Sequence, residues 1–563
     1  MIGVDVEAAD RDVVCEFFEL FKTPWEFARK DRHYEVLLHT GDRPPEVSAR
    51  VVLVYAGRKT SWDKGLEVRS ARDSRQTCLL SYLQNRIPIY GEAVTFPTQT
   101  SQFLTQEDSK ECAVWLSESD GVVIARVGYD LFAEIRFLLT VGQPLANAGL
   151  PALELHIALL RDLVTGCGIP LIEIPPVPDS HQFVVCLTHD VDHPSIRQHK
   201  WDHTVLGFLF RALFESVLRL FTGQLSIGDL LRNWTAALQL PFVHLGWAKD
   251  FWRDFDERYL ELEQGHPSTF FVIAFADQAG RTPAGSAPRL RASRYGAQYL
   301  ADTLRKLQSA NCEIGLHGLD VWLDSAAGRQ ELEEVRGLTG ASAIGVRMHW
   351  LYYSQQSASK LEAAGASYDS SIGYNDTVGY RAGTTQVYKP LDANRLLELP
   401  LHAMDTAMFY RSYLNLSVDQ ARARLRQLSD NAACFGGTLT INWHDRSLAP
   451  ERLWSACYRD LIEDLRARRA WFATAGQAVS WFRKRRSAVF ESDATSGEKV
   501  RVPAAEKFAN NLPGLRLRTH KARKVGSFEI QHSGDYVDAA IEERAATEAG
   551  HAGQELNFLR SSS

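Results

Sequence analysis

The chain has 563 residues, too many for one ordinary hydrophobic core, which predicts two or three domains. Hydrophobic residues make up 45% and charged residues 23%, a composition typical of globular proteins, and the formal net charge of -6 argues against general affinity for nucleic acids. The eight cysteines form no CxxC pair, which speaks against a zinc ribbon or a thioredoxin-like motif and favours a reducing compartment.

The N-terminal sequence MIGVDVEAADRDVV carries acidic residues where a signal peptide needs a basic and then an apolar stretch. No apolar run reaches membrane-spanning length, since the best one, residues 204–223, is interrupted by Arg211, Glu215 and Arg219. These side chains share one helical face, so we predict an amphipathic helix that packs against the protein; the alternative is a helix that lies on a membrane surface. We expect a cytoplasmic protein without a transmembrane segment.

The first stretch of the chain, residues 1–175, alternates strand-like and helix-like segments. Residues 34–39 and 50–56 have the pattern of strands, and residues 153–164 have that of a helix. No catalytic constellation stands out here, so we predict an α/β accessory domain without an assigned role. The prolines between residues 170 and 178 indicate a linker.

The second stretch repeats one pattern, in which an apolar strand ends in polar residues. It occurs at residues 183–187, 268–275, 312–318, 343–350, 396–401 and 437–445. Helical segments such as residues 295–310 and 418–431 lie between these strands, which predicts a mostly parallel sheet. Polar residues at successive strand ends predict a barrel-like arrangement with one functional rim.

The third stretch begins with the basic run RKRR at residues 483–486 and continues with Ser, Gly, Pro and scattered charges. We predict a mostly flexible tail over residues 483–563. Within it, LRLRTHK and SFEIQ could pair as a hairpin, and residues 536–559 could form a charged helix. The basic run offers a weak contact for an acidic partner or a membrane, although a solvated tail is the alternative.

The sequence THDVD places Asp190 and Asp192 two residues apart at a strand end, where strand periodicity points both to one side. Two carboxylates so close repel each other unless a cation or a shared proton relieves them. A bound metal explains the pair, with one carboxylate as ligand and the other as a base. The alternative is an acidic loop that caps the next helix.

His317 and His349 also end strands, and two imidazoles with one carboxylate are a suitable set for zinc or another divalent metal. A lone histidine is more often structural, and it is the company of the aspartates that favours ligation. Arg347 precedes His349 by two residues on the same strand face, from where it could bind Asp190. The alternative is a surface salt bridge.

Two further segments carry candidate residues. The loop YDSSIGYNDTVGYRAGT is rich in turn formers, polar groups and aromatics, and it suits recognition of a polar ring or is merely structural. Its candidates for substrate binding are Asp369, Tyr380 and Arg381. In INWHD, His444 could protonate a departing nitrogen or be a buried core histidine, and Trp443 could shape the pocket wall.

Together and in this order, THDVD, GLHG, GVRMHW, YDSSIGY with GYRAGT, and INWHD resemble the polysaccharide deacetylase family (NodB-homology, carbohydrate esterase family 4-like). The resemblance covers roughly residues 183–481 and is closest to the branch that has a TxDxD first motif and occurs with exopolysaccharide genes. It implies a distorted (β/α) barrel as the catalytic domain, residues 183–482. By resemblance, Asp190 is the catalytic base, Asp192 a metal ligand, His317 the first histidine of an H-x-x-x-H pair, Arg347 the arginine that orients the base and His444 the catalytic acid.

The chain departs from the family at one position, because Val321 stands where the second histidine of the pair would fall. His349 is the proposed replacement, and Asp320 and His193 are further candidates. The resemblance implies a metal-dependent hydrolase that removes an N-acetyl group from an amino sugar of a poly- or oligosaccharide, and we expect a divalent metal ion, with zinc as the first candidate. Two alternatives remain: a hydrolase of a non-sugar amide on the same scaffold, and a carbohydrate-binding module that has lost catalysis.

Overall fold

The structure, a computed structural model, describes residues 1–64, 67–70, 78–97, 103–119, 121–223, 225–493, 497–501, 512–524 and 535–541. The chain forms two compact units. The accessory unit comprises residues 1–180, 382–391 and 480–563, and the barrel unit comprises residues 181–381 and 392–479. No helix among the described residues is long and apolar enough to cross a membrane.

The accessory unit is built on a six-stranded sheet, in which all neighbours are parallel except the first pair. Its order is Val114–Ser119, Val122–Val127, Ala49–Tyr55, Tyr34–His39, Ile2–Asp5 and Trp25–Phe27. The helices of this unit are Arg11–Leu20, Leu131–Thr140 and Ala152–Gly166. Smaller antiparallel sheets join Asn85–Ile89, Cys78–Tyr82 and Leu104–Gln106, and Arg69–Ser70 with Val94–Thr95. Both strands and the helix that the sequence predicts for this stretch are present.

The C-terminal segment contributes further elements to the accessory unit. Arg516–His520 pairs with Leu171–Glu173 on one side and with Tyr536–Ala540 on the other, and Val489–Asp493 pairs with Gly497–Arg501. LRLRTHK therefore pairs with the chain at residue 536 rather than with SFEIQ, which lies outside the described residues together with 542–559. The expected charged helix is wrong over its first five residues, which form a strand.

The basic run RKRR belongs to the helix Ala475–Ser487. The guanidinium of Arg485 is buried and donates to the backbone carbonyls of Leu20 and Ile174, and Arg486 forms an ion pair with Glu16 at 2.8 Å. These cations are thus engaged within the chain, so the expected contact between this run and an outside partner has no support. The physical reason is that buried guanidinium groups need acceptors, and the carbonyl ends of local elements supply them.

The barrel unit is built on a parallel sheet whose order is Val346–Met348, Glu313–Gly318, Ser268–Val272, Val184–Val191, Thr438–Asn442 and Ala403–Met404. Trp471–Phe472 pairs with the beginning of the Val184–Val191 strand. Single bridges from Val346 to Asp369 and from Asp369 to Glu398 extend the curled sheet beyond its edge. This α/β architecture confirms the predicted parallel, barrel-like fold.

The strands are almost continuous apolar runs because the sheet is covered on both faces. Every residue of Val184–Val191 is buried, as expected for a central parallel strand. Outside the insertion described below, the helices of this unit include Phe255–Glu263, Ala301–Ser309, Ser325–Thr339, Ser357–Ala364, Asp405–Phe409, Val418–Phe435 and Ser455–Ala467. Their ends follow local chemistry, since the Asp324 side chain caps the helix that starts at Ser325 and Gly340 ends it with φ +67°.

A helical insertion lies between the strands Val184–Val191 and Ser268–Val272, which follow one another along the chain. It consists of His203–Leu209, a π-helical turn Phe210–Glu215, Ser216–Phe221 and, after a short turn, Ile227–His244. The inner faces of the two helical segments pack together through Phe208, Ala236 and Leu240, and Trp252, which follows the insertion, joins the same cluster. The amphipathic helix predicted over residues 204–223 is therefore present, in the form of a hairpin arm.

Candidate active site

The carboxyl end of the Val184–Val191 strand holds both aspartates of THDVD. Asp190 is buried, and Asp192 follows just beyond the strand. His189, on the opposite side of the strand, binds Glu263 at 2.7 Å and the carbonyl of Trp443 at 2.8 Å. Strand alternation therefore separates a structural histidine from two carboxylates that share the other side.

Two histidines from neighbouring strand ends meet the carboxylate of Asp192. Nε2 of His317 lies 3.4 Å from Oδ1 of Asp192, and Nε2 of His349 lies 3.5 Å from the same oxygen. One ligand atom from each of the three residues lies within 4.8 Å of the others. Nδ1 of His317 contacts the carbonyl of Arg347 at 3.0 Å, which leaves Nε2 free to face Asp192.

The chemistry of this cluster fits a divalent metal ion. Oδ1 of Asp192 is buried, yet it has no hydrogen-bond partner among the described residues, a costly situation for a carboxylate unless an ion compensates it. Burial acts to raise the pKa of Asp192, but the surrounding histidines, His349 foremost, hold this pKa well below its ordinary value. Burial lowers the pKa of His349 well below its ordinary value. A deprotonated carboxylate and a neutral imidazole are the forms that ligate metal.

Val321 lies in the hydrophobic core and is fully buried. Added Cβ atoms on Gly318 or Gly328 would come within 2.7 Å or 2.3 Å of its methyl groups, so the site around it is tightly packed. Asp320 accepts the backbone N–H of Arg281, and His193 contacts His199 at 3.2 Å. The described residues thus bring His349 to Asp192 and His317, and neither of the two further candidates joins that cluster.

Asp190 is held by groups from two other strands of the sheet. Its Oδ1 accepts Nη1 of Arg347 at 3.3 Å, and its Oδ2 accepts Nδ2 of Asn442 at 2.7 Å. Arg347 is itself fixed, because it donates to the Thr188 hydroxyl at 2.6 Å and to the hydroxyl and carbonyl of Ser370 at 2.7 and 2.9 Å. The carboxylate is thereby oriented, with Oδ2 lying 3.9 Å from Nε2 of His317.

His444 faces the same cluster from the Thr438–Asn442 side. Its Nε2 lies 3.9 Å from Oδ2 of Asp192, while its Nδ1 lies 2.6 Å from Oδ1 of Asp405. The backbone N–H of His444 donates to Oδ2 of Asp405 at 2.7 Å, and the hydroxyl of Ser447 also donates to this oxygen. Burial alone would lower the pKa of His444, but the surrounding carboxylates, Asp405 foremost and then Asp192 and Asp190, together raise this pKa to about 10. Asp405 does not stand out in the sequence; its only signal is an acidic residue shortly after the strand-like run LLELPL.

These residues form the floor of a cavity of about 640 Å³. Its walls are aromatic and polar, with contributions from Trp350, Tyr352, Asn375, Asp376, Tyr410 and Tyr413. Arg211 and Arg446 also line it. Glu451 acts electrostatically on both guanidinium groups and Asp445 on that of Arg446, but no described carboxylate forms an ion pair with either. Nε of Arg211 is buried without a hydrogen-bond partner among the described residues. A cavity of this size with aromatic walls suits a sugar-sized ligand.

Four candidates for substrate contact do not line this cavity. Asp369 is a buried sheet position, where it accepts from Ser370 and Ser371 and pairs with Glu398; burial raises its pKa to about 6. Tyr380 packs against His402, and Arg381 donates to the carbonyl of Gly373.

Trp443, the fourth candidate for substrate contact, is fully buried against Phe409 and Tyr458. It follows Asn442 and precedes His444, the two residues that reach the site, so alternation turns its side chain away. Within the predicted recognition loop, Asn375 and Asp376 reach the cavity instead. This loop therefore reaches the cavity through side chains other than the three that the sequence suggested.

No protein-family model matches this sequence, and neither does any curated protein. Among solved structures, it is similar to the carbohydrate deacetylase Agd3, with 10% identity and a TM-score of 0.34 over 92% of this chain and 91% of that chain. It is also similar to the peptidoglycan deacetylase PdaC from Bacillus subtilis, with 12% identity and a TM-score of 0.20 over 55% of this chain and 95% of that chain. A third is Puue allantoinase, with 15% identity and a TM-score of 0.31 over 54% of this chain and 91% of that chain. Because these values are low, we base the function on the side chains of the site.

Proposed function

We propose that the barrel unit is a metal-dependent hydrolase that removes an N-acetyl group from an amino sugar of a poly- or oligosaccharide. One observation supports this most directly: an aspartate and two histidines converge at the cavity floor, flanked by Asp190 and by the Asp405–His444 pair. A metal-ligand cluster between one carboxylate and one protonated histidine provides the base and the acid that metal-assisted amide hydrolysis uses.

Asp192, His317 and His349 would hold the ion, and zinc suits a set of two imidazoles and one carboxylate. A bound divalent cation supplies Lewis acidity toward the acyl carbonyl and lowers the pKa of water. A hydrogen bond behind the site orients one of these ligands, because Nδ1 of His317 contacts the carbonyl of Arg347 while Nε2 faces Asp192.

The side chains of the chain move the protons. Asp190 takes a proton from the attacking water as the oxygen of that water bonds to the acyl carbon, and Arg347 and Asn442 keep the carboxylate in place. His444 donates its Nε2 proton to the amide nitrogen as the carbon–nitrogen bond breaks. The products are acetate and a free amino sugar. Each acid–base residue contributes on the order of 10²- to 10⁴-fold to the rate.

The proposal is tested with the purified full chain by measuring its metal content, then acetate and free amine released from N-acetylated oligosaccharides. Asp190→Asn should retain the metal and lose turnover, with Asp369→Asn as a carboxylate control away from the cavity. Full activity in Asp190→Asn would refute the assigned role. Cyclic ureides and small amides are assayed in parallel, because hydrolysis of these alone would favour the non-sugar alternative. A chain that stays without metal and inactive after addition of zinc, cobalt or nickel would be a binding module.

A further inference from the structure

The helical arm, residues 201–247, has an unusual distribution of side chains. In the first segment, residues 204–221, every exposed side chain is Leu or Phe: Leu206, Phe210, Leu213, Phe214, Leu218 and Phe221. The charged residues Arg211, Glu215 and Arg219 of the same segment are partly buried, and Arg219 pairs with Glu215 at 2.9 Å. A helix on the surface of a globular protein usually shows the reverse, with its apolar side covered and its charges in water.

The second segment of the helical arm continues this apolar surface. Its exposed residues include Ile227, Leu231, Trp234, Leu238 and Phe242, spaced by four, three, four and four positions, and Leu245 and Trp247 follow. Such spacing places them along one side of the helix. The opposite sides of both segments are buried, because they pack together around Phe208, Leu240 and Trp252.

Most of the large exposed apolar side chains of the described residues belong to this arm. Scattered apolar side chains are normal on a protein surface, but a contiguous apolar face of this kind marks a contact with another molecule or with a membrane. The helical arm is therefore a docking surface, and its chemistry indicates what it contacts.

We propose that the exposed face of the helical arm lies in the interfacial layer of a lipid bilayer that contains anionic lipids. Trp201 and Trp247, exposed by 84% and 76%, stand where the arm leaves and rejoins the barrel unit; the contact of Arg197 with the carbonyl of Ala248 at 2.7 Å joins these ends. Tryptophan is enriched at membrane–water interfaces, because its ring is apolar and its N–H is polar.

The local charge agrees with an anionic surface. Residues 197–249 contain six Lys and Arg and three Asp and Glu, although the whole chain carries a formal charge of -6. The excess comes from Arg197, Lys200 and Lys249 at the ends of the arm, where Lys200 precedes Trp201 and Lys249 follows Trp247 by two positions. Lys249 also pairs with Asp254 at 3.2 Å. Basic residues beside an apolar helix face strengthen binding to anionic lipids. The Ile227–His244 helix, at about 27 Å, would lie along the surface.

The same arm forms part of the cavity wall. His203, Thr204, Gly207 and Arg211 line the cavity, while Leu206, Phe210 and Phe214 of the same segment point to solvent. Membrane docking would thus place the cavity beside the lipid surface, which favours an N-acylated saccharide that is carried on a lipid anchor. This consequence rests on the proposed function, whereas lipid binding itself does not.

The test is sedimentation of the full chain with phosphatidylcholine vesicles, with and without about 30% phosphatidylglycerol. We expect binding that increases with the anionic lipid and weakens at high salt. The double variant Leu218→Asp/Leu238→Asp should bind at least about tenfold more weakly, because both side chains would have to carry charge into the interface. Leu145→Asp in the accessory unit is the matched control, since Leu145 and Leu218 are both 53% exposed.

Neither Leu218 nor Leu238 lines the cavity, so the double variant should keep wild-type activity on a short oligosaccharide without lipid, together with its thermal transition. The lipid proposal is overturned if the wild-type protein sediments with neither type of vesicle. It is also overturned if the double variant binds the vesicles as strongly as the Leu145→Asp control. A dimer in light scattering that the double variant abolishes, without lipid binding by the wild type, would assign the face to a second copy of the chain. If the wild-type chain binds the vesicles but hydrolyses no N-acetylated saccharide, the proposed function is refuted and the lipid proposal is not.

Discussion

Asp405 contacts Nδ1 of His444 at 2.6 Å, so that Nε2 is the nitrogen of His444 that faces Asp192. The same carboxylate accepts the backbone N–H of His444 and the Ser447 hydroxyl. His444 is therefore fixed in orientation and favoured in its protonated form. Asp405 is a positioning residue for the proposed acid, and it lies on an element that contributes no ligand to the metal cluster.

The first prediction concerns Asp405→Asn. His444 must be protonated to donate, so activity is lost as pH rises through its pKa, which the surrounding carboxylates, Asp405 foremost, raise to about 10. Removing the negative charge lowers this pKa, and the alkaline fall in kcat should move to lower pH. The pH profile of kcat measures the shift, with Asp369→Asn as the control and metal content checked in both variants. An alkaline limb at an unchanged pH would exclude His444 as the group that Asp405 tunes.

The second prediction concerns the metal ligands. His349→Ala should lose bound metal and activity, because it removes one of the three atoms that converge on Asp192. His193→Ala should keep the metal, since His193 lines the cavity without joining the cluster. Metal analysis after dialysis distinguishes the two variants. Retained metal in His349→Ala would show that the third ligand lies elsewhere.

Val321→His tests the family pattern directly. The valine is fully buried and packed against two glycines, so an imidazole there would be oversized and without a partner. We expect a loss of stability of about 1–3 kcal/mol and no recovery of metal when the substitution is added to His349→Ala. Urea denaturation and metal analysis measure the two effects. Restored metal binding in the double variant would show that position 321 can reach the site.

The proximity of the three candidate metal ligands could be predicted from sequence, because parallel strands bring their carboxyl ends to one rim. A polar residue at each end of an apolar run therefore becomes a neighbour of the others, as happens for Asp192, His317 and His349. Asp405 could not be predicted in this way, because it begins a helix directly after Ala403–Met404, a strand of only two residues, and the apolar run LLELPL ends at residue 401.

Other features depend on tertiary context that a single sequence does not contain. Turn-rich composition identified the loop around Asp369, but which of its side chains face inward depends on bridges to Val346 and Glu398. For the helical arm, periodicity defines a charged side and an apolar side, yet it cannot indicate which of them the protein covers. The basic run at 483–486 suggested a solvated tail, whereas Arg485 is buried and donates hydrogen bonds to backbone carbonyls that are distant in sequence.

Arg347 supports a fourth prediction, which concerns the orientation of the proposed base. It is fully buried and is the only cation within hydrogen-bonding distance of Asp190 among the described residues. Arg347→Met should destabilise the fold by about 3–5 kcal/mol, because it leaves a buried carboxylate without its cationic partner. Arg347→Lys should recover part of the stability but little of the activity, since an ammonium cannot reproduce the contacts with Thr188 and Ser370. Wild-type kcat in Arg347→Lys would show that orientation of the base is unimportant.

The last prediction concerns the charge of the substrate. Arg211 and Arg446 line the cavity, and no described carboxylate forms an ion pair with either of them, although Glu451 acts on both at longer range. Burial lowers the pKa of Arg211 to about 10, and the neighbouring guanidinium groups of Arg452 and Arg446 act in the same direction. An anionic group on the saccharide, a carboxylate or a phosphate, would relieve this excess of positive charge by charge-assisted hydrogen bonds. Arg446→Gln should therefore raise KM for an acidic N-acetylated oligosaccharide by about tenfold, since a hydrogen bond to a charged group contributes about 1.5–3 kcal/mol, and leave KM for a neutral one nearly unchanged. The ratio of kcat/KM for the two substrates measures this preference, and an equal loss on both would mean that Arg446 shapes the cavity without recognising charge.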